Sequence, residues 1–568
     1  MFNQKQKQHG AEKNRYSLRF VPLGGILGVT KNMYVYELYE DRVLQDIIIV
    51  DCGIGFPQDK ALGVDFVIPD ISYLMDKLDK IRAILLTHGH EDHISALPFH
   101  YEKLGRPPMY TSRLTAEFIK NKFVEINDPV EPIVVAYDKP YSFGAFTCEF
   151  IHSTHSIPDP MHILIKTPVG AIYHGADYKL DLTPPYGEPP DLYKMAAAGH
   201  NGVLCLMSDC LGADRPGLTL SESIVGQTFE DEMRKTKGKF VMTTFSSNIS
   251  RIRQCVEAAI KFNRKVCFLG WSMRENTRIA QEIGYLPIPE GFTIQEHQVM
   301  RAPANKICII APGSQGQYNS AMAKLSTNQS RSIGLKPGDK VVFSSDPIPG
   351  NEPAVYEIIE DLVLMGVEVV HPGVTDELHA SGHGNQEDMK FLIRLTKPKY
   401  HIPIGGTVRH QRSYQRLVTD LGGKRDSVFT LSEGETIVFD HTGAHPGTPV
   451  ETKSIYVDAT GVGDVGSVVL RDRKTLSTEG IVVAVLTLDS QSKTIAPARI
   501  ITRGFVFEKK EEEMFTKADA LIEKKLKPHE GRPYHPDTIK RDVSAVLEDF
   551  FFKERGRRPL VIVDIIQM

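Results

Sequence analysis

Thr87-His88-Gly89-His90-Glu91-Asp92-His93 places three imidazoles and two carboxylates within six residues, directly after the apolar, strand-like run Ile81 to Leu86. A strand that ends in such a loop delivers several metal ligands to one point. Imidazole nitrogen and carboxylate oxygen suit Zn²⁺ or Mn²⁺, and a set without thiolates is typical of a catalytic site, which keeps a position open for water. The competing reading is a solvated polar loop. Ligands arriving from other strand ends decide between the two.

Two later segments have the right chemistry. Thr154-His155-Ser156-Ile157-Pro158-Asp159 follows a strand-like run ending at His152, and His174-Gly175-Ala176-Asp177 follows Ala171 to Tyr173. A carboxylate at Asp177 can bridge two cations about 3.5–4 Å apart. Taken singly, His155 reads equally well as a hydrogen-bonded turn residue and Asp177 as a turn cap. Beside the first cluster, both read as ligands.

With 568 residues the chain is long enough for roughly two to four domains and needs no disulfide staples. Its 41% hydrophobic and 24% charged residues are those of an ordinary globular protein. No apolar run reaches the roughly 18 residues needed to span a bilayer, and the first 15 residues lack a signal-peptide core. The expected setting is the cytoplasm, with no membrane partner. Seven scattered cysteines, none in a Cys-x-x-Cys pair, read as free thiols.

A net charge of −4 gives no global sign of a polyanion partner. Charge is nevertheless uneven: between Met233 and Arg278 there are eleven Lys/Arg (234, 235, 237, 239, 251, 253, 261, 264, 265, 274, 278) against two Glu (257, 275). That bias suits nucleic acid. It suits solvated basic helix faces equally well.

Short β-rich runs separated by Gly, Pro and Asp turns fill the first 175 residues and predict a mixed α/β layered domain. From about Thr219 to Val370, apolar strands (Lys239 to Thr243, Lys265 to Leu269, Ile307 to Ala311, Lys340 to Ser344) alternate with helical stretches near Ser221 to Arg234 and Ser250 to Phe262. This is the pattern of a βαβ module with a parallel sheet. After the Gly/Asp-rich passage Asp458 to Asp464, a final segment with strands at Gly480 to Leu488 and Pro559 to Ile566 and a helix over Glu511 to Leu526 predicts a small separate α/β domain.

The His-x-His-x-Asp-His loop resembles the signature of the metallo-β-lactamase superfamily. Ser208-Asp209, Thr244 to Asn248, Gly270 to Met273, Gly313 to Gly316, Ser344 to Asn351, His379 to His383 and Gly556 to Pro559 resemble the motifs of ribonuclease J, a member of the β-CASP nucleases. The resemblance runs from about Arg19 to the end. It implies an αββα metallo-β-lactamase sandwich with an inserted β-CASP domain and a small C-terminal α/β domain. The implied limits are a disordered polar tail at 1–18, a core over 19–218 and 373–450, an insertion over 219–372, a linker over 451–466 and a C-terminal domain over 467–568.

The resemblance also implies site roles. His88, His90 and His155 would hold one of two divalent ions (Zn or Mn), Asp92 and His93 the other, with Asp177 between them. Asp92 and His383 would take part in catalysis, and Asp65 and Asp458 fall where the family carries a structural calcium. The implied activity is hydrolysis of RNA phosphodiesters: 5′ to 3′ removal of nucleotides from 5′-monophosphorylated single strands, with internal cleavage beside it, in mRNA decay and rRNA maturation. Implied partners are single-stranded RNA and a homodimer, a homotetramer or a paired paralogue.

His379-Ala380-Ser381-Gly382-His383 offers imidazoles, a hydroxyl and glycine N–H groups in one loop, a nest suited to a phosphate. Ser246, Asn248 and Ser314, at strand ends, are candidates for holding backbone phosphates, while Phe245 reads as a contact or as core. Trp271 stands where the family has Arg, exchanging a charge for a stacking surface.

One departure concerns the metal. The family's last ligand is a histidine 22 residues beyond His383, and here that place is Gly405; Thr407 replaces the usual carboxylate. Three expectations follow: an active site with a weaker second ion, a stand-in ligand from His401 or His410, or a catalytically weak, RNA-binding paralogue.

Overall fold

The computed structural model describes residues 15–57, 61–348, 350–374, 376–458, 461–489, 494–506, 512–527 and 535–567. Residues 1–14 of the expected tail lie outside this range, and the first strand, Tyr16–Pro22, begins inside the stretch read as tail.

Two sheets form the core of the first compact unit, which comprises residues 1–55 and 68–454. One has eight strands, in the order Gly443–Pro446, Ile437–Asp440, Tyr16–Pro22, Tyr34–Glu40, Val43–Val50, Ile81–Leu85, Met109–Thr111 and Ile133–Val134. The other has six: Tyr400–Ile404, Cys205–Asp209, Ala171–His174, Met161–Lys166, Phe146–His152 and Tyr141–Phe143.

Strand alternation explains the layering. Phe20, Ile48 and Leu85 of the first sheet pack in one cluster with Phe150, Ile163, Ile165, Ile172, Cys205 and Met207 of the second. The intervening residues of the second sheet, Leu164, Tyr173 and Leu206, face the other way, onto Met195, Met389, Leu392, Tyr414 and Leu417 of three helices. The sandwich therefore has helices outside and apolar residues between its sheets, as the metallo-β-lactamase reading requires.

The chain leaves the six-stranded sheet at Asp209 and returns to pair Tyr400–Ile404 in parallel with Cys205–Asp209, Ile404 opposite Asp209. Between these strands lies a five-stranded, all-parallel sheet, in the order Lys265–Phe268, Ile307–Ala311, Phe240–Thr243, Lys340–Phe343 and Glu368–Val370. Helices Ser223–Lys235 and Ile249–Lys261 match the sequence reading to within two residues; Trp271–Glu282 and Glu352–Leu364 add to it. Ile307–Ala311 is buried throughout, as expected of a strand covered on both faces.

The second compact unit comprises residues 56–67 and 455–568. Its main sheet pairs Ile481–Leu488 antiparallel with Thr494–Arg503 and parallel with Leu560–Gln567. Val482, Ala484, Leu486 and Leu488 point to one side and pack against helices Glu512–Leu526 and Pro536–Arg555. The second of these helices has no counterpart in the sequence reading. Strands Ser454–Asp458 and Gly461–Val462 occupy part of the stretch read as linker. Among the described residues no helix is long and apolar enough to cross a membrane.

Candidate metal centre

The metal loop starts where Ile81–Leu85 stops and ends in a short helix, Glu91–Ile94, with His90 at its N-cap. Acidic residues in the first turn of that helix oppose its positive end. Asp51, just past Val43–Val50 with φ 61°, is fully buried and braces the loop. Its carboxylate accepts from the Thr87 N–H at 2.8 Å, from the Thr87 hydroxyl at 2.9 Å and from His93 Nδ1 at 2.8 Å. His93 therefore turns Nε2 inward, 3.3 Å from Asp177 Oδ2. Gly53 is required here, because a Cβ would lie 1.6 Å from the Asp92 carbonyl oxygen.

His88 Nε2 and His90 Nδ1 stand 3.1 Å apart, and His155 Nε2 is 3.2 Å from the same His90 nitrogen. Three sets of groups converge closely enough to share an ion: His88, His90 and His155; His88, His93 and Asp177; and His155, Asp177 and His383. Five of the six expected ligands thus meet. Asp92 falls outside these sets: its Oδ2 lies 3.7 Å from His93 Nε2 and accepts from Asn32 Nδ2 at 3.3 Å. It borders the cluster without joining it.

Burial, followed by the charge of neighbouring rings, holds His88 and His155 well below the ordinary imidazole value and His90 at about 3. These rings keep their lone pairs, as metal binding requires. Burial would depress His93 as well, but Asp92, Asp177 and Asp51 raise it well above 6.5. Burial pushes the Asp92 carboxyl up to about 6. Burial also works to raise Asp177, yet His93 holds it well below the usual carboxylate range. The neutral rings of His88, His90 and His155 beside the ionised Asp177 fit a divalent cation, and His93 would give up its proton to join them.

The 379–383 loop closes on this centre. Gly382 gives its carbonyl to His155 Nδ1 at 2.6 Å, which leaves Nε2 of that ring for the metal. His383 Nδ1 donates to the buried Asp209 at 2.7 Å; burial opposes the ring's proton, and Asp209 more than compensates, bringing it to about 9. His155 also borders a cavity of about 330 Å³ lined by Arg113, Tyr186, Arg253 and Tyr285.

Several expected contacts stand differently. Asn248 is 2% exposed, and its side chain caps helix Ile249–Lys261 by accepting from the Arg251 N–H; Ser314 is equally buried. Ser246 is half-buried, with its hydroxyl accepting from Asn276. Phe245 is exposed rather than core, and Trp271, 55% exposed, opens helix Trp271–Glu282. The Asp65 N–H donates to the carbonyl of Val457, the neighbour of Asp458, and Asp458 gives its carboxylate to Arg473. Neither belongs to a ligating group among the described residues.

The basic stretch is largely neutralised. Eight of its eleven cations (234, 235, 239, 251, 253, 261, 274, 278) pair with carboxylates, and Arg264 donates to the Gly238, Ile307 and Thr236 carbonyls. Seven of the acids involved, including Glu222, Glu230, Glu296 and Asp339, lie outside the window counted in sequence, so the count overstated the free charge.

Gly405 adds no ligand. Its φ is +65°, and a Cβ there would face Asp177 Oδ1 at 3.5 Å and Asp209 Oδ1 at 3.6 Å. Neither stand-in reaches the centre: His401 Nδ1 is 3.3 Å from the Tyr414 hydroxyl, and His410 Nδ1 accepts from the Thr407 N–H in a capping box that starts helix Val408–Asp420. Thr407 serves as that helix's cap.

Four family profiles match the chain in order: a beta-lactamase superfamily domain over residues 47–210, the beta-CASP domain of ribonuclease J over 237–362, a Zn-dependent metallo-hydrolase RNA specificity domain over 368–430 and the ribonuclease J C-terminal domain over 468–568. Ribonuclease J 1 of Streptococcus pyogenes is 36% identical over 544 residues, spanning 95% of this chain and 96% of its own. The chain belongs to the ribonuclease J family. Ribonuclease J2 of Bacillus subtilis is 33% identical over 98% of this chain and all of its own. A solved Enterococcus faecalis protein of unknown function superposes with a TM-score of 0.53 at 16% identity, over 74% of this chain and 99% of its own, a likeness of fold. This ribonuclease J family member is a metal-dependent nuclease that binds RNA.

Sequence reasoning missed Asp51, Asn32 and the partnership of Asp209 with His383. Asp51 ends an apolar strand just as the metal loop does, which is the one signal that pointed to it.

Proposed function

We propose that this family member removes nucleotides 5′ to 3′ from 5′-monophosphorylated single-stranded RNA, cuts internally as a second activity, and serves mRNA decay and rRNA maturation in the cytoplasm. The observation that carries the reading is the meeting of the His88, His90, His93, His155 and Asp177 cluster with the 379–383 loop, through His155 and Gly382. A phosphate seated in the loop lies next to the metal ligands.

In this reading His88, His90 and His155 would hold one ion, His93 and Asp177 would serve a second, and Asp92 at the border of the cluster would complete it; Zn²⁺ and Mn²⁺ both suit the donors. When bound, such ions would supply an acidified water and offset charge on the phosphate oxygens. Asp51 and the Gly382 carbonyl keep the His93 and His155 rings aimed. His383, protonated at neutral pH and anchored on Asp209, holds a proton for the leaving oxygen. The backbone N–H groups of Ala380, Ser381 and Gly382 cradle the phosphate, and Ser246 and Trp271 line its path. The working assembly is a homodimer or homotetramer, or a pair with a paralogue.

Gly405 favours a second reading, a weakly catalytic RNA-binding subunit, because the second ion lacks a fourth protein ligand. Release of mononucleotides from 5′-monophosphorylated RNA with Mn²⁺, compared among wild type, His90→Ala and Asp177→Ala, separates the two. Release lost in both variants supports the nuclease. No release from any of the three, with RNA still bound, supports the subunit.

A further inference from the structure

Arg251 is the largest fully buried side chain among the described residues, and it belongs to the inserted module, in the first turn of helix Ile249–Lys261. Its guanidinium has five N–H donors and no acceptor. All five are used: Nε and Nη2 donate to the two oxygens of Glu222 at 2.7 Å each, Nη2 also to the Ala380 carbonyl at 2.8 Å, and Nη1 to the Ser344 carbonyl at 2.8 Å and to His379 Nδ1 at 2.6 Å. Two of these five bonds end on the 379–383 loop, 128 and 129 residues away in sequence.

Glu222 continues the network toward the metal strands. Its N–H donates to Asp181 at 2.8 Å, and its carboxylate lies 3.4 Å from Lys179 Nζ. Lys179 follows Asp177 by two residues, and its N–H donates to the Thr154 carbonyl, next to His155. Four buried charges, two of each sign, thus join the metal strand ends to the inserted module and, through Arg251, to the phosphate loop.

The contact with His379 has a chemical consequence. A guanidinium can only donate and does not give up its proton, so His379 Nδ1 must be the acceptor. The ring's proton then sits on Nε2. Asp346 Oδ2 is the acidic group facing that nitrogen, at 3.7 Å, too far for a hydrogen bond. No acceptor among the described residues completes a bond to it, and the side chain keeps a partly open edge.

We propose that Arg251 is a positioning residue: it locks His379 as the neutral Nε2–H tautomer, so that the phosphate loop presents a hydrogen-bond donor to an oxygen of the RNA phosphate it holds. Burial and the neighbouring Arg251 charge also keep His379 from taking a second proton. The inference rests on the reading of residues 379–383 as a phosphate site.

The probe is a short single-stranded RNA with a 5′-monophosphate, a 3′-fluorescein and phosphorothioate linkages that block hydrolysis, titrated onto the metal-loaded full chain. His379→Gln keeps an acceptor for Arg251 and a donor at the outer end, so its affinity stays within about threefold of wild type. His379→Phe loses both and binds about tenfold more weakly, the size of one hydrogen bond to a charged group. Arg251→Met with Glu222→Gln removes both members of the ion pair in near-isosteric form and loses the same factor. In ¹⁵N-histidine spectra the His379 signals, identified by their absence in His379→Gln, show a single Nε2–H tautomer in wild type and a mixture in the double variant.

Unchanged affinity in His379→Phe would overturn the phosphate reading itself. Full loss in His379→Phe with equal loss in His379→Gln, or a double variant that keeps both tautomer and affinity, would leave the phosphate site standing and overturn the role of Arg251. The two His379 variants leave the buried ion pair intact and so test the donor even if the double variant does not fold, and the wild-type ¹⁵N spectrum tests the lock by itself: a mixture of tautomers there would overturn the role of Arg251.

Discussion

On the two-ion reading proposed above, replacing Gly405 with histidine should tighten the second ion. The backbone at 405 is left-handed (φ +65°), which costs a non-glycine residue about 1 kcal/mol. Space is available: the nearest atoms to a Cβ are Asp177 Oδ1 at 3.5 Å and Asp209 Oδ1 at 3.6 Å, ordinary contact distances that place the new side chain beside the Asp177 carboxylate. Losing a partner of a ligand typically costs 10–100-fold in metal affinity, and a direct ligand at least the upper figure. A gain of about 100-fold is worth about 2.7 kcal/mol, which exceeds the backbone cost. Equilibrium dialysis against Mn²⁺ with elemental analysis, supported by calorimetric titration, should show one tight ion per wild-type chain with a second bound about 100-fold more weakly. Gly405→His should bind two tightly and, stripped of metal, be less stable than wild type. Two equally tight ions in wild type, or no gain in the variant, would refute the reasoning.

Three further outcomes follow from the same geometry. In the metal-free protein His93 holds its proton well above pH 6.5, so its contribution to stability is fully present below that value and is lost as pH rises through the higher folded pKa. Mn²⁺ must displace this proton, so affinity should rise with pH, and calorimetry at pH 7 in buffers of different ionisation enthalpy should show release of about one proton; no release would contradict it. Gly53→Ala would drive a methyl group into the backbone of Asp92 and His93, at 1.6 and 2.4 Å, and should cost about 3 kcal/mol of stability and reduce bound metal, both read by melting and elemental analysis. Trp271 is the chain's one tryptophan, so single-stranded RNA should quench the intrinsic fluorescence, and Trp271→Ala should bind RNA about tenfold more weakly, a difference visible by anisotropy.

Much of the centre was legible because its ligands sit at strand ends with short-range signatures. His88, His90 and His93 share one loop, His155 and Asp177 each follow an apolar run, and the structure brings all five together. The parallel sheet of the insertion was legible for a similar reason, since strands buried on both faces read as continuous apolar runs. Asn248 and Ser314 are buried, Asn248 as a helix cap, which residue type could not foretell: a polar residue at a strand end can serve the solvent or a helix cap, and only packing around it decides which.

Residue type and local spacing alone therefore determined the chemistry available: imidazoles and carboxylates for a cation, a glycine-rich loop for a phosphate, and a glycine at 405 with nothing to offer a metal. Tertiary structure decided which of these groups are aimed and charged. Asp51 lies 42 residues from the His93 it orients, Asp209 lies 174 from His383, and Glu222 lies 29 from Arg251, which in turn reaches 128 residues to His379. Such partnerships leave no periodic trace in the chain. Whether a histidine carries a proton, or a lysine or arginine is free to meet RNA, depends on burial and on a partner that only the folded chain brings within 3 Å.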